Sequence, residues 1–135
     1  MAVLRHETMP IRSSEDVVLV RQAVRAWAVD QGFSLVDQTK LVTAASELAR
    51  NTLIHGGGGQ VHLESLNDDR RRGVRLTFED HGPGIPDIEL AMKDGYTTAG
   101  GLGLGLSGAK RLSNEFQIFS RPDEGTRVTI TKWKV

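Results

Sequence analysis

The chain contains no cysteine, which removes disulfides, thiolate nucleophiles, iron–sulfur clusters and cysteine-based zinc sites together. It also lacks net charge, because 17 Lys and Arg offset 17 Asp and Glu. Without a positive excess it is a poor fit to a protein that grips nucleic acid or anionic lipid by counterion release. No apolar run approaches the ~18 residues of a membrane span, and the first ten residues, MAVLRHETMP, hold no apolar signal-peptide core. The expectation is a cytoplasmic protein with no nucleic-acid and no membrane partner. What remains is ordinary: 135 residues, 39% hydrophobic and 25% charged, form one domain over residues 1–135. A chain of that size buries roughly two-thirds of its unfolded surface without staples.

Glycine is the exception, at 15 of 135 residues against a usual share of about 7%. The excess lies at Gly56 to Gly59 and in eight glycines between Gly82 and Gly108. Clusters of this kind mark turns, or backbone brought close to a ligand.

The patterning predicts an edge strand over about Val3 to Arg12, interrupted by Pro10. Ser13 or Ser14, followed by Glu15 and Asp16, starts a first helix carrying Val17, Val20, Val24, Trp27 and Ala28 at helical spacing, and Gly32 stops it. A second helix runs from about Asp37 to His55 with Leu41, Ala45, Leu48 and Thr52 on one stripe. Two alternating strands, Gln60 to Leu66 and Gly73 to Asp80, flank a polar hairpin connection from Asn67 to Arg72. A short helix from Pro86 to about Asp94, a loop from Gly95 to Gly101 and a helix from about Leu104 to Asn114 follow. Strands Phe116 to Arg121 and Thr126 to Trp133 close the chain. This order implies an α+β two-layer sandwich, with a mixed, mostly antiparallel sheet and helices on one face.

Four places could carry chemistry. Val74, Leu76 and Phe78 share the inward face of their strand, so Asp80 points inward as well. A carboxylate there needs a donor, either from a ligand or from the Gly-Pro-Gly turn that follows it, and both readings stand on these residues. Thr126 shares a face with Val128 and Ile130, so its hydroxyl also points at the core layer; acid and hydroxyl could converge on a planar polar ligand such as a purine. Glu47 and Asn51 stand one helical turn apart and could share a hydrated magnesium ion, although Glu and Asn on a helix are more often simply solvated. The run from Gly100 to Gly108 opens a helix, where free backbone N–H groups attract phosphate. Gly103, Gly105 and Gly108 match a dinucleotide fingerprint in letters only, since no strand ends just before them. A P-loop, the eukaryotic-type kinase motifs and a nucleophile elbow all fail, and His6, His55, His62 and His81 show no metal-ligand spacing.

Taken together, these segments resemble the Bergerat-fold ATP site of the GHKL superfamily. The N-box is similar to Glu47 through His55, the first glycine box to Glu79 through Ile85, the second to Gly100 through Leu106, and the threonine box to Glu124-Gly125-Thr126. End to end, the chain is similar to the small anti-sigma-factor-type serine kinases, above all the RsbT-type switch kinases of bacterial stressosomes. The resemblance implies ATP and Mg2+ as cofactors. It places Asp80 on the adenine amino group with Thr126 and a water beside it, and Gly82, Gly84 and Ile85 around the base. It gives Asn51 the magnesium, and Gly100, Gly101, Leu102, Gly103, Leu104 and Gly105 the phosphates, under a lid from about Lys93 to Gly101. Glu47 becomes the general base. The implied partners are STAS-domain proteins of the RsbS and RsbR kind and a PP2C-type phosphatase. A sigma factor is a weaker implication, because no Lys or Arg lies between Lys93 and Lys110. The alternative reading is a nucleotide-gated binding module, an anti-sigma factor or phosphatase activator, with little catalysis.

Overall fold

Ser13 has extended backbone (φ −151°, ψ 166°) and its hydroxyl accepts the Asp16 N–H, which fixes the start of α1 (Ser14–Asp30). The computed structural model describes residues 2–93 and 105–134. Val17, Val20, Val24, Trp27 and Ala28 are the buried stripe of α1, as their spacing requires. Gly32, at φ +81°, turns the chain, and Ser34 then caps α2 (Leu35–Ile54) by accepting the Asp37 N–H. Leu41, Ala45, Leu48 and Thr52 are buried along α2, joined by Val42, Ala44 and Ala49.

Five strands complete the layer beneath: β1 (Ala2–Ile11), β2 (Gly59–Asp68), β3 (Arg71–Asp80), β4 (Glu115–Arg121) and β5 (Gly125–Trp133). Their order is β1-β2-β3-β5-β4, and all four pairings are antiparallel. The parallel component of the expected mixed sheet is thus missing among the described residues, while the two-layer α+β architecture holds. β1 is an edge strand, where Pro10 removes no ladder bond that the sheet needs. The strands β2 and β3 reach further into the polar connection than expected, leaving Asp69 and Arg70 between them and an ion pair of 3.0 Å from Asp68 to Arg71. Side-chain polarity gives no bar to a ladder at the solvent-facing end of a hairpin, because the backbone bonds do not depend on it. The short helix α3 (Ile88–Ala91) is capped by Asp87, which accepts the Leu90 N–H at 3.0 Å; α4 (Gly105–Leu112) precedes β4.

Val61, Leu63, Val74, Leu76, Phe78, Val128 and Ile130 face the helices and are buried. The other face is polar. There Arg75 grips Glu64 through Nε–Oε1 at 2.8 Å and Nη2–Oε2 at 3.0 Å, and His62 lies between Thr8 and Glu79. Buried Gln31 ties the end of α1 to the β2–β3 hairpin, donating to the carbonyls of Leu66 at 3.0 Å and Gly73 at 2.8 Å. Neither partner was visible in the sequence, because both are backbone groups brought close only by folding.

Two tests of this architecture follow from the geometry. The hydrogen bond from Arg75 is the main cause that holds the Glu64 carboxyl below its ordinary value of 4.5. A depressed carboxyl contributes stability that is present above its unfolded value and lost as pH falls through its folded one. Arg75→Met is expected to cost about 1 kcal/mol at neutral pH. It should also flatten the loss of stability on acidification below 4.5, read by urea denaturation; an unchanged acid slope would refute the linkage. At the other end of the sheet, Gly125 has φ +92°, and a Cβ there would lie 2.1 Å from the Asp80 carbonyl oxygen. Gly125→Ala is expected to destabilise by about 2 kcal/mol or more in the same assay.

Candidate functional site

The β3–β5 and β5–β4 registers set three polar residues side by side: Asp80 opposite Thr126, and Thr126 opposite Ser120. Asp80 and Thr126 continue the inward alternation of Phe78 and Val128, and all four residues line one cavity of about 340 Å³. Its apolar walls are Leu48 from α2, Phe78, Ile85, Leu90 from α3, Leu106 from α4, and Val128. A slot of this kind, apolar on its faces and polar at one edge, suits a flat heteroaromatic ring.

Of the two sequence readings of Asp80, the turn supplies the donor to one oxygen, and the other oxygen is left for a ligand to meet. Oδ1 accepts the N–H of Gly82 at 3.0 Å and that of Thr126 at 3.2 Å, so it closes the turn and locks the strand pair. Oδ2 takes no hydrogen bond among the described residues and lies over Gly56, where a Cβ would come within 2.6 Å of it. Gly56 therefore stands directly against Asp80, where the sequence marked the run from 56 to 59 only as a turn or as backbone close to a ligand. Its signal was there: a glycine cluster leaving a helix must fit against something.

Gly82 is not among the residues that line the cavity; a Cβ on it would lie 2.8 Å from the Gly56 Cα, so its small size lets two backbone segments cross. Gly84 does line the cavity, and its lack of a side chain also admits the Arg121 carbonyl, which would be 2.2 Å from a Cβ. Ile85 is on the wall, with its N–H donated to Ser120 Oγ at 2.8 Å.

Asn51 and His55, one turn apart near the end of α2, line the cavity too. The Asn51 carboxamide makes no hydrogen bond among the described residues, so its oxygen is open to a ligand. Glu47 stands one turn earlier, off the wall; its side chain is 14% exposed and its Oε1 is 3.8 Å from Arg50 Nη1. Gly105, the first residue of α4, is on the wall. Gly100, Gly101, Leu102, Gly103 and Leu104 lie outside the described residues, as does nearly all of the expected lid.

At its far end α4 is held by Lys132, whose Nζ donates to the Leu112 carbonyl at 3.2 Å and stands 3.8 Å from Asp37 Oδ1. Burial pushes this ammonium below the usual lysine range. The inward position follows from β5 alternation, where Lys132 continues the face of Val128 and Ile130.

No group of three or more His, Asp or Glu stands close enough to hold a metal among the described residues. Magnesium does not require one, since it commonly takes one or two protein oxygens and fills its octahedron with phosphate and water. The open carboxamide of Asn51 on the cavity wall fits that use.

Comparison with known proteins agrees with the geometry. The family described as histidine kinase-, DNA gyrase B-, and HSP90-like ATPase matches residues 36–135. The chain is 46% identical over 123 residues to serine/threonine-protein kinase RsbT of Bacillus subtilis (strain 168), covering 91% of this chain and 92% of that one. It is 31% identical over 126 residues to an anti-sigma F factor of Bacillus licheniformis, covering 88% and 85% respectively. The crystal structure of the RsbU and RsbW domains of a Mycobacterium tuberculosis protein shares the fold, with a TM-score of 0.65 and 23% identity over 98% of this chain and 32% of that one. With an acid-edged cavity between sheet and helices and with these relatives, the chain belongs to the histidine kinase-, DNA gyrase B- and HSP90-like ATPase family.

Proposed function

We infer that this chain is an ATP- and magnesium-dependent serine/threonine protein kinase of a partner-switching pathway. It phosphorylates a STAS-domain antagonist or scaffold of the RsbS and RsbR kind and, on release, activates a PP2C-type phosphatase in the cytoplasm. One observation carries the reading: the apolar slot has the free oxygen of Asp80 at one edge and the open carboxamide of Asn51 on its wall. The resemblance to a serine/threonine kinase over nine-tenths of both chains supports it.

In this reading the base lies between the apolar walls and donates its amino N–H to Asp80 Oδ2. The triphosphate runs toward Gly105, the start of α4, where free backbone N–H groups and the helix dipole favour anions. The family resemblance assigns Gly100, Gly101, Leu102, Gly103 and Leu104, outside the described residues, to the same phosphate-binding role. Asn51 would hold magnesium, which would supply neutralisation of phosphate charge. Glu47, its carboxylate steadied by Arg50, accepts the proton of the incoming serine or threonine hydroxyl. Little covalent work falls to the protein, because phosphoryl transfer depends mostly on positioning and charge neutralisation.

A sigma factor is the weaker partner, since residues 94–109 contain no Lys or Arg to meet an acidic surface. Among the described residues no helix is long and apolar enough to cross a membrane.

The decisive assay incubates the chain with labelled ATP, magnesium and a candidate STAS-domain protein. Wild type is expected to label serine or threonine, and Glu47→Ala to lower the rate by ~10²–10⁴-fold while ATP affinity stays within about threefold. Asp80→Asn is expected to weaken ATP binding by about tenfold or more, read by calorimetry. Tight ATP binding by wild type with no label transferred to any STAS-domain protein would leave a nucleotide-gated binding module instead.

A further inference from the structure

Ser120 is absent from the cavity wall, yet its hydroxyl touches three groups around the polar edge. Its Oγ is 2.8 Å from the Ile85 nitrogen, 3.1 Å from the Gly125 carbonyl oxygen and 2.8 Å from Thr126 Oγ1. A hydroxyl has one proton and two lone pairs, so these contacts can be assigned. The Ile85 N–H can only donate and occupies one lone pair. The Gly125 carbonyl can only accept and takes the proton. One lone pair remains, and Thr126 must donate its own proton to it. The Thr126 oxygen then has only lone pairs left for the cavity.

We infer that Ser120 is a positioning residue that makes the polar edge of the cavity acceptor-only, and that it thereby selects a nucleobase bearing an exocyclic amino group over one bearing a keto group at the same place. Asp80 Oδ2 is the first acceptor and Thr126 Oγ1 the second. An amino group offers one N–H to each. A keto oxygen meets two acceptors and gains nothing, and a site built for hydrogen bonds discriminates strongly when its polar groups are left unpaired. This rests on the ATP reading above and deepens it, because it explains which purine the slot accepts.

The three residues that set the device come from three strands, and their alignment is a consequence of register. A shift of one residue in either pairing would turn Ser120 or Thr126 to the outer face.

The test compares binding of ATP and inosine triphosphate by calorimetry, using the full chain. These ligands differ at the amino group, which is a keto group in the second, and at the adjacent ring nitrogen. Wild type is expected to prefer ATP by about 100-fold or more. In Ser120→Ala the Thr126 hydroxyl is free to rotate and donate. ATP binding should weaken by about three- to tenfold, and the preference for ATP should fall by about tenfold. Adding Ser120→Ala to Thr126→Val should leave the preference where Thr126→Val alone sets it. Should Ser120→Ala fail to show a cooperative thermal transition, Ser120→Cys keeps the size with a weak donor and acceptor and is expected to move the preference in the same direction. A Ser120 that merely supports the structure would weaken both nucleotides by one factor, and an unchanged preference in a folded variant overturns the inference. Wild type binding neither nucleotide would instead overturn the ATP reading itself.

Discussion

The two oxygens of the Asp80 carboxylate stand in different surroundings, and much of the molecule is arranged around that difference. One oxygen receives two backbone N–H groups, from Gly82 in the turn that follows and from Thr126 on the neighbouring strand. Those donors fix the side chain, and the fixed side chain lines the cavity with its other oxygen beside Gly56. A carboxylate at a half-buried position is tolerable only because its charge is met by oriented dipoles. The same arrangement dictates where glycine must stand. Gly56 passes beneath the free oxygen, Gly82 crosses Gly56, and Gly125 passes the Asp80 carbonyl, each at distances that leave no room for a methyl group.

Around this joint the elements divide their labour. α2 contributes Leu48 and Thr52 from its buried stripe, and Asn51 beside them, so the cavity opens directly off the core. α4 brings its first residue, Gly105, to the cavity while Lys132 holds its last carbonyl, so the end at the cavity is anchored through the end away from it. The outer sheet face, with its Arg75–Glu64 pair, contributes to stability and takes no part in the cavity. Site and scaffold therefore meet mainly along the β3–β5–β4 end of the sheet. There Ser120 connects the turn after β3, the start of β5 and the Thr126 hydroxyl.

The family likeness and the geometry bear on different links of the argument. Identity of 46% to a serine/threonine kinase over most of both chains speaks to activity. The cavity speaks to how a purine nucleotide would be read. Neither rests on the other, which is why the amino-group preference and the phosphotransfer can be examined separately.

The sequence by itself determined the elements, their order and their inward faces, because helical and strand periodicity record which side chains must leave water. Val17 through Ala28, Leu41 through Thr52 and Val74 through Phe78 were legible for that reason, and Asp80 and Thr126 were carried inward by the same alternation. Spacing set Asn51 one turn from Glu47, but only the family resemblance gave the pair a role. Only the tertiary structure decided that every described strand pairing is antiparallel, that Glu47 stands off the cavity wall, and that Gly82 serves a backbone crossing. It alone brought Gly56, Leu90 and Ser120 to the site, from segments as far apart as residues 56 and 120. The physical reason is that periodicity reports the direction of a side chain relative to its own element. Which backbone or hydroxyl it meets there is set by strand register and loop crossing, and those are fixed by contacts between residues remote in the chain.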